Sequence, residues 1–235
     1  MITGRYKFAD KVVEVHSLYE EVHHYCKDYR SEDPIDFEVT MTQDDIGYEK
    51  ARFESGISSD AHLEELAVYR KISEKMPDYD TVLYHGSVIS VDGKAYMFTA
   101  SSGTGKSTHT ALWRKLFGDR AVMVNDDKPL IHIGEITTAY GTPYNGKHRL
   151  SANIGVPLKA ICILERSEKN HIEQITFKEA YSMLVQQVYR PNDILALQKT
   201  LSLVDRLEKS VSFYRLGCNM DISAAQTAYD GMNKE

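Results

Sequence analysis

The chain has 235 residues, of which 42% are hydrophobic and 26% are charged, and its formal net charge is −6. This composition is typical of a globular protein, and the negative charge argues against a general binder of nucleic acids or membrane surfaces. No stretch approaches the roughly 20 apolar residues of a membrane span. The three cysteines are widely spaced, which favours reduced thiols in a cytoplasmic protein.

Residues 1–60 predict a small α+β unit that precedes a nucleotide-binding domain at 61–235. Residues 36–41 alternate like a strand, whereas 42–47 has the composition of a turn. The adjacent pair His23-His24 lacks a suitably spaced third ligand, so we expect two solvated histidines and no metal site.

A helix and a hairpin are predicted next. Helical spacing of apolar residues indicates a helix over 60–76, with Asp60 as its N-cap. Residues 81–91 predict one strand, which Asp92-Gly93 turns back into a second strand.

The stretch from Lys94 to Thr108 has the pattern of a phosphate-binding loop. Residues 94–100 predict a buried strand, small residues follow to Gly105, and a helix opens at Lys106 and ends near Gly118. This is the context of the Walker A motif, Gly-x-x-x-x-Gly-Lys-Ser/Thr, although Ala100 replaces its first glycine.

The residue types of this loop suit a nucleoside triphosphate. Glycines let backbone N–H groups face an anion, and the following helix adds unpaired N–H groups. Lys106 would reach the β- and γ-phosphates, and the Ser107 hydroxyl would bind Mg²⁺. The predicted nucleotide-binding residues are Ser102, Gly103, Thr104, Gly105, Lys106, Ser107 and Thr108.

Two carboxylates follow the next predicted strand, at 121–124. Asp126 and Asp127 lie where a phosphate loop needs an acidic residue for its metal. One could bind Mg²⁺ while the other accepts the proton of an attacking hydroxyl. The sequence does not decide which residue has which role.

The segment 141–150 is predicted to be a loop, because it contains two glycines and a proline. Lys147 and Arg149 concentrate positive charge there, which suits a lid or an acceptor-binding loop, and a solvated connection is the alternative. Arg190, at the end of a predicted helix, is a further candidate for substrate contact.

The remaining segments predict an α/β domain with a mixed central sheet. Residues 156–165 form a nearly continuous apolar run, typical of a central strand that is buried on both faces. Thr176 and Glu179 form the pattern of a capping box. The other predicted elements are an edge strand at 172–175, helices at 177–189, 193–209 and 222–232, and a last strand at 211–216.

Four segments resemble, in order and spacing, the catalytic core of HPr kinase/phosphorylase. They are His85-Gly-Ser-Val, the Asp92-Gly93 hairpin, Ser102-Gly-Thr-Gly-Lys-Ser and Val124-Asn-Asp-Asp127. The third is also similar to the kinase loop of ATP-dependent phosphoenolpyruvate carboxykinase.

The resemblance implies a P-loop kinase core and phosphoryl transfer to a serine-type hydroxyl. It implies Lys106 on the phosphates, Asp126 as the catalytic base, Asp127 with Ser107 on the metal, and His85 near the transferred phosphate. The chain departs from the family at Thr108, where a glutamate is usual, and lacks its second glycine-rich signature. These departures argue against HPr itself as the acceptor.

The sequence therefore predicts a cytoplasmic kinase that uses ATP, or GTP, with Mg²⁺. Its expected acceptor is a Ser or Thr of a small protein or peptide, and a homo-oligomer is compatible with the resemblance. Two alternatives are a kinase of a free small molecule, such as an amino acid or sugar, and a non-catalytic ATP-sensing module that acts through a partner.

Overall fold

The computed structural model of the protein describes residues 1–52 and 58–234 and shows a mixed α/β architecture. The described helices are α1 (Glu21–Tyr25), α2 (Gln43–Arg52), α3 (Asp60–Lys75), α4 (Lys106–Phe117), α5 (Phe177–Gln187), α6 (Ile194–Arg206) and α7 (Ser223–Asn233). The described strands are β1 (Ile2–Phe8), β2 (Lys11–Ser17), β3 (Phe37–Thr40), β4 (Thr81–Leu83), β5 (Ser87–Val91), β6 (Lys94–Thr99), β7 (Ala121–Asn125), β8 (Leu130–Ile133), β9 (Thr137–Tyr140), β10 (Gly155–Arg166), β11 (His171–Ile175) and β12 (Ser212–Cys218). Among these described helices, none has the length and apolar character needed to cross a bilayer.

The chain divides into two compact units, Met1–Met76 and Pro77–Glu235. The sequence analysis predicted a domain boundary after residue 60 instead. Helix α3 follows that position, yet it packs against α1, α2, β2 and β3 of the first unit. We therefore describe α3 with the first unit.

The first unit contains a three-stranded sheet in the order β1-β2-β3. Strand β1 is antiparallel to β2, and β3 is parallel to it. Tyr6 and Phe8 of β1 are fully buried. The sequence analysis did not predict β1, although every second residue of this strand is the more buried one.

Two local predictions in this unit were wrong. Residues 43–47 begin helix α2, with Thr42 just before it, and do not form a turn. The Thr42 N–H donates to Asp45 Oδ2 (3.0 Å), and the Asp45 N–H donates to Thr42 Oγ1 (3.4 Å), so an aspartate takes the glutamate's place in a capping box. The N-cap of α3 is Ser59, whose hydroxyl accepts from the His62 N–H at 3.2 Å, and not Asp60.

The prediction of a solvated His23-His24 pair was wrong for His23. This side chain is buried. Its Nδ1 lies 2.7 Å from the Tyr6 hydroxyl and its Nε2 lies 2.7 Å from the Ser17 hydroxyl. A buried histidine with two hydrogen-bonded nitrogens is a structural residue of this core.

The second unit is built on a nine-stranded mixed sheet. Its main path runs β4-β8-β9-β10-β6-β5-β7, and β12 pairs with β10 on a branch that continues to β11. Strand β10 is parallel to both β6 and β12, which confirms the predicted central strand. Strand β11 pairs with β12 alone among the described strands, as expected of an edge.

The predicted strand over 81–91 is instead two strands with different partners. Strand β4 pairs with β8, whereas β5 pairs with β6 and β7. The connection holds His85 and Gly86, whose N–H groups donate to the carbonyls of Gln187 (2.8 Å) and Asp127 (3.0 Å). A Cβ on Gly86 would lie 3.2 Å from the Phe98 carbonyl oxygen, so the glycine permits a close backbone approach.

Helices cover both faces of the sheet in the second unit. Successive residues of β6 point to opposite faces, as the period of a strand requires. Ala95 and Met97 join a core with α5 and α6, while Tyr96 and Phe98 join a core with α4 and α7. The layered α/β arrangement thus agrees with the sequence prediction. The capping box at Thr176 is also present.

Candidate active site

A glycine-rich loop joins β6 to α4, with the strand and the helix in their predicted places. Gly103 has φ of +76° and Gly105 has φ of +121°, conformations that side chains other than glycine rarely adopt. Gly105 is also the N-cap of α4, and no side chain caps that helix. The first N–H groups of a helix lack partners within the helix, so this turn presents donors to an anion.

Lys106 lies at the junction of this loop with α4. Only 8% of its surface is exposed, and its Nζ donates to the Ala100 carbonyl at 3.1 Å. Burial lowers the pKa of the Lys106 ammonium, and the charges of Asp127 and Asp126 oppose that shift. The structure therefore brings the predicted lysine and the two predicted carboxylates together.

Asp126 lies just beyond β7 and is 5% exposed. Its Oδ1 accepts a hydrogen bond of 2.7 Å from the Ser87 hydroxyl. The Ser87 oxygen also lies 3.1 Å from the Thr110 hydroxyl on α4. The sequence analysis missed Ser87 and Thr110, which connect this carboxylate to the helix that carries Lys106.

Asp127 has a more open and more positively charged environment than Asp126. Its Oδ2 accepts from Lys128 Nζ at 2.8 Å, and its Oδ1 lies 3.4 Å from His85 Nε2. The buried Asn125 side chain accepts from the N–H groups of both Asp127 (2.9 Å) and Lys128 (2.7 Å). Asn125 thus fixes the turn that presents Asp127 and Lys128 side by side.

His85 bridges Asp127 and helix α5. Its Nδ1 lies 2.9 Å from Oε1 of Gln187, the last residue of that helix. Burial lowers the pKa of His85, the charges of Lys106 and Lys128 lower it further, and Asp127 acts in the opposite direction. The predicted His85 therefore belongs to the cluster. The sequence analysis missed its partner Gln187, which no sequence motif marks.

The segment 141–150 is a loop, as predicted, and it reaches the cluster at Gly146. Gly146 has φ of +68°, and a Cβ there would lie 3.1 Å from the Cβ of Asp127. Lys147 and Arg149 follow with exposed side chains. Arg190 is also exposed. The contact to Asp127 is therefore made by a glycine next to the predicted cations.

Arg166, at the end of β10, contacts the glycine-rich loop from another side. Its guanidinium donates to the Gly103 carbonyl at 2.6 Å. A charge-assisted hydrogen bond of this length restrains the tip of the loop. The sequence analysis missed this residue, because its position depends on how β10 pairs with β6.

The fold and this cluster define a class of α/β protein in which a strand, a glycine-rich loop and a helix face paired aspartates. The model of one family, the SynChlorMet cassette protein ScmC, matches residues 60–220. This match spans more than half of the chain, and the chain belongs to the ScmC family. No curated protein matches the sequence.

One solved structure with detectable similarity is the HPr(Ser) kinase/phosphatase from Coxiella burnetii. The identity is 13%, and the alignment covers 53% of this chain and 90% of that one, with a TM-score of 0.31. The similarity is distant, and a TM-score this low supports no inference about activity.

Proposed function

We propose that the protein is a kinase that transfers the γ-phosphate of ATP, with Mg²⁺, to a hydroxyl group. The preferred acceptor is a Ser or Thr of a small protein or peptide. The observation that carries the proposal is the position of Lys106. Its buried ammonium donates to the Ala100 carbonyl at the start of the glycine-rich loop and interacts with the charges of Asp127 and Asp126, and a lysine at this junction can bind phosphate groups.

The loop residues fit a triphosphate. The positive φ angles of Gly103 and Gly105 shape a turn at the start of α4, where N–H groups favour an anion. Lys106 would contact the phosphates from the base of this turn. The residues from Ser102 to Thr108 therefore remain the proposed nucleotide-binding segment.

Ser107 and Asp126 supply the kind of oxygen ligand that Mg²⁺ prefers. Ser107 lies in the first turn of α4, and Asp126 is held by Ser87. Bound Mg²⁺ would neutralise charge on the β- and γ-phosphates. In place of the roles that the resemblance implies, with Asp126 as the base and Asp127 on the metal, we assign Asp126 to the metal side, because it is the more deeply buried carboxylate and lies close to α4.

Asp127 is then the proposed base. It is the more exposed of the pair, and it adjoins the loop that contains Lys147 and Arg149 through Gly146. Asp127 would accept the proton of the acceptor hydroxyl as that oxygen attacks phosphorus. His85 and Lys128 hold the carboxylate in place. The two exposed cations of the loop favour an acceptor that is large enough to meet them, such as a peptide.

The test is transfer of label from γ-labelled ATP and Mg²⁺ to a mixture of peptides and metabolites. We expect Lys106→Met and Asp127→Asn to lose at least about a hundredfold in rate. Lys115→Met, on the exposed face of the same helix, and Asp119→Asn serve as matched controls.

The size of the labelled product separates the alternatives. A labelled peptide supports the proposal, whereas a labelled metabolite indicates a small-molecule kinase. Transfer that is as fast in Lys106→Met as in the wild type contradicts the proposal. Tight ATP binding with no transfer indicates a sensing module.

A further inference from the structure

A cavity of about 760 Å³ opens beside the glycine-rich loop. It lies on the side of α4 that carries His109 and Leu112, and the ends of β10 and β12 form its other walls. Gly103, Thr104 and Gly105 line its inner edge. Small-molecule sites in proteins commonly have volumes of about 300–1,000 Å³.

The cavity and the carboxylates lie on different sides of the loop and of α4. Thr110 faces Ser87 and therefore Asp126. The preceding residue, His109, packs edge-on against Phe98 and lines the cavity. We expect a nucleoside triphosphate whose γ-phosphate faces the carboxylates to direct its base and ribose away from them. The cavity adjoins the loop away from Thr110 and Asp126.

The cavity has an apolar part that suits a flat aromatic group, and Arg166, Glu168 and Asn219 add polar side chains to its lining. Leu112 and Leu164 contribute apolar surface, and the Met220 side chain, which is 80% exposed, stands at the rim. A methionine on a binding surface adapts to differently shaped aromatic groups. The exposure of Met220 would fall if such a group covered it.

His109 contributes a largely buried ring to the wall of the cavity. Its Nε2 accepts from the Trp113 indole at 3.0 Å, so the proton of the neutral ring is on Nδ1. This Nδ1 is buried and has no hydrogen-bond partner among the described residues. The ring therefore contributes to the wall of the cavity, while its Nδ1 proton is enclosed within the protein.

We propose that this cavity binds the base and ribose of the nucleotide whose phosphates bind at residues 102–108. The inference rests on the proposed function and adds the location of the nucleoside.

The experiment uses Trp113, the sole tryptophan of the chain, whose hydrogen bond to His109 couples its fluorescence to the cavity. MgATP, MgGTP and magnesium tripolyphosphate are titrated into the wild type, with calorimetry as a second measurement. The test variant is Leu112→Gln combined with Met220→Gln, which changes no charge. The matched control is Val122→Gln combined with Ile136→Gln, two exposed apolar residues away from the cavity lining.

We expect the test variant to bind both nucleotides about tenfold more weakly than the wild type, because apolar contact is lost. Its affinity for tripolyphosphate should stay within about twofold of the wild-type affinity. If the test variant binds ATP as tightly as the wild type does, while Lys106→Met does not bind ATP, the cavity inference is wrong. The proposed function is then unaffected. An equal loss for ATP and tripolyphosphate also overturns the cavity inference, because the variant then disturbs the loop itself. A wild type that binds none of the three ligands overturns both proposals.

Discussion

The hydroxyl of Ser87 donates a 2.7 Å hydrogen bond to Asp126, although 39 positions separate the two residues. The pair joins the start of β5 to the end of β7, two strands that are neighbours in the sheet. Ser87 therefore sets the orientation of a carboxylate that lies in the proposed metal site.

Replacing Ser87 with alanine should remove this support. We expect the free energy of unfolding to fall by about 1–2 kcal/mol and phosphoryl transfer to slow by about tenfold. Urea denaturation and the transfer assay measure the two effects. Ser90→Ala is the control, because Ser90 also lies on β5 but donates only to the Val122 carbonyl, at 3.4 Å. Equal transfer rates in the two variants would contradict the role given to Ser87.

Gly146→Ala tests the approach of the loop to Asp127. A non-glycine residue at φ of +68° should cost about 1 kcal/mol of stability. Gly93→Ala is matched to it, because Gly93 has φ of +76° and open space around its Cβ position. We expect both variants to lose stability in urea denaturation, Gly146→Ala at least as much as Gly93→Ala, because only its Cβ meets a close neighbour. Only Gly146→Ala should also slow transfer, by about tenfold, and a similar slowing in Gly93→Ala would refute this explanation.

Acid should destabilise the protein through His109. Burial lowers the pKa of His109 from 6.5 to about 4, so the unfolded chain binds more protons than the folded protein between these values. The contribution to stability is complete above pH 6.5 and is lost as the pH falls toward 4, by about 3 kcal/mol at most.

The variant His109→Gln cannot be protonated in this range. Its unfolding free energy, measured by urea denaturation with circular dichroism, should depend less steeply on pH between 6.5 and 4 than that of the wild type. Parallel pH profiles for the two proteins would show that this histidine is not the group responsible.

Arg166→Gln should loosen the tip of the glycine-rich loop, because the charge-assisted bond to Gly103 is lost. We expect the affinities for MgATP and for magnesium tripolyphosphate to fall together, by about five- to tenfold. Arg215→Gln is the control, since Arg215 pairs with Glu165 and Glu173 instead. Calorimetry measures both affinities. Unchanged tripolyphosphate binding in Arg166→Gln would rule out a role in restraining the loop.

The sequence predicted the parts of the candidate site that are contiguous in the chain. The order of strand, glycine-rich loop and helix up to Phe117 is a local pattern, and so is an aspartate pair after a strand. Asn125 could also have been recognised, because an asparagine before two aspartates commonly bonds to the backbone N–H groups that follow.

Other contributors to the site depend on strand pairing and could not be predicted. Gln187 meets His85 across 102 positions, and Arg166 meets Gly103 across 63. Such contacts follow from the order of strands in the sheet, which no local pattern specifies. The split of residues 81–91 into β4 and β5 has the same cause, because both halves are apolar and each takes a different partner.

The pairing of β10 has a consequence for how the second unit opens to solvent. Its first three residues pair with β9, and residues 160–163 are bonded to β6 on one side and to β12 on the other. Residues 160–163 therefore have a neighbouring strand on each side, and Ile161 and Cys162 are fully buried. The amide hydrogens of Ile161 and Cys162 should therefore exchange with deuterium among the slowest in the protein, at a rate set by global unfolding.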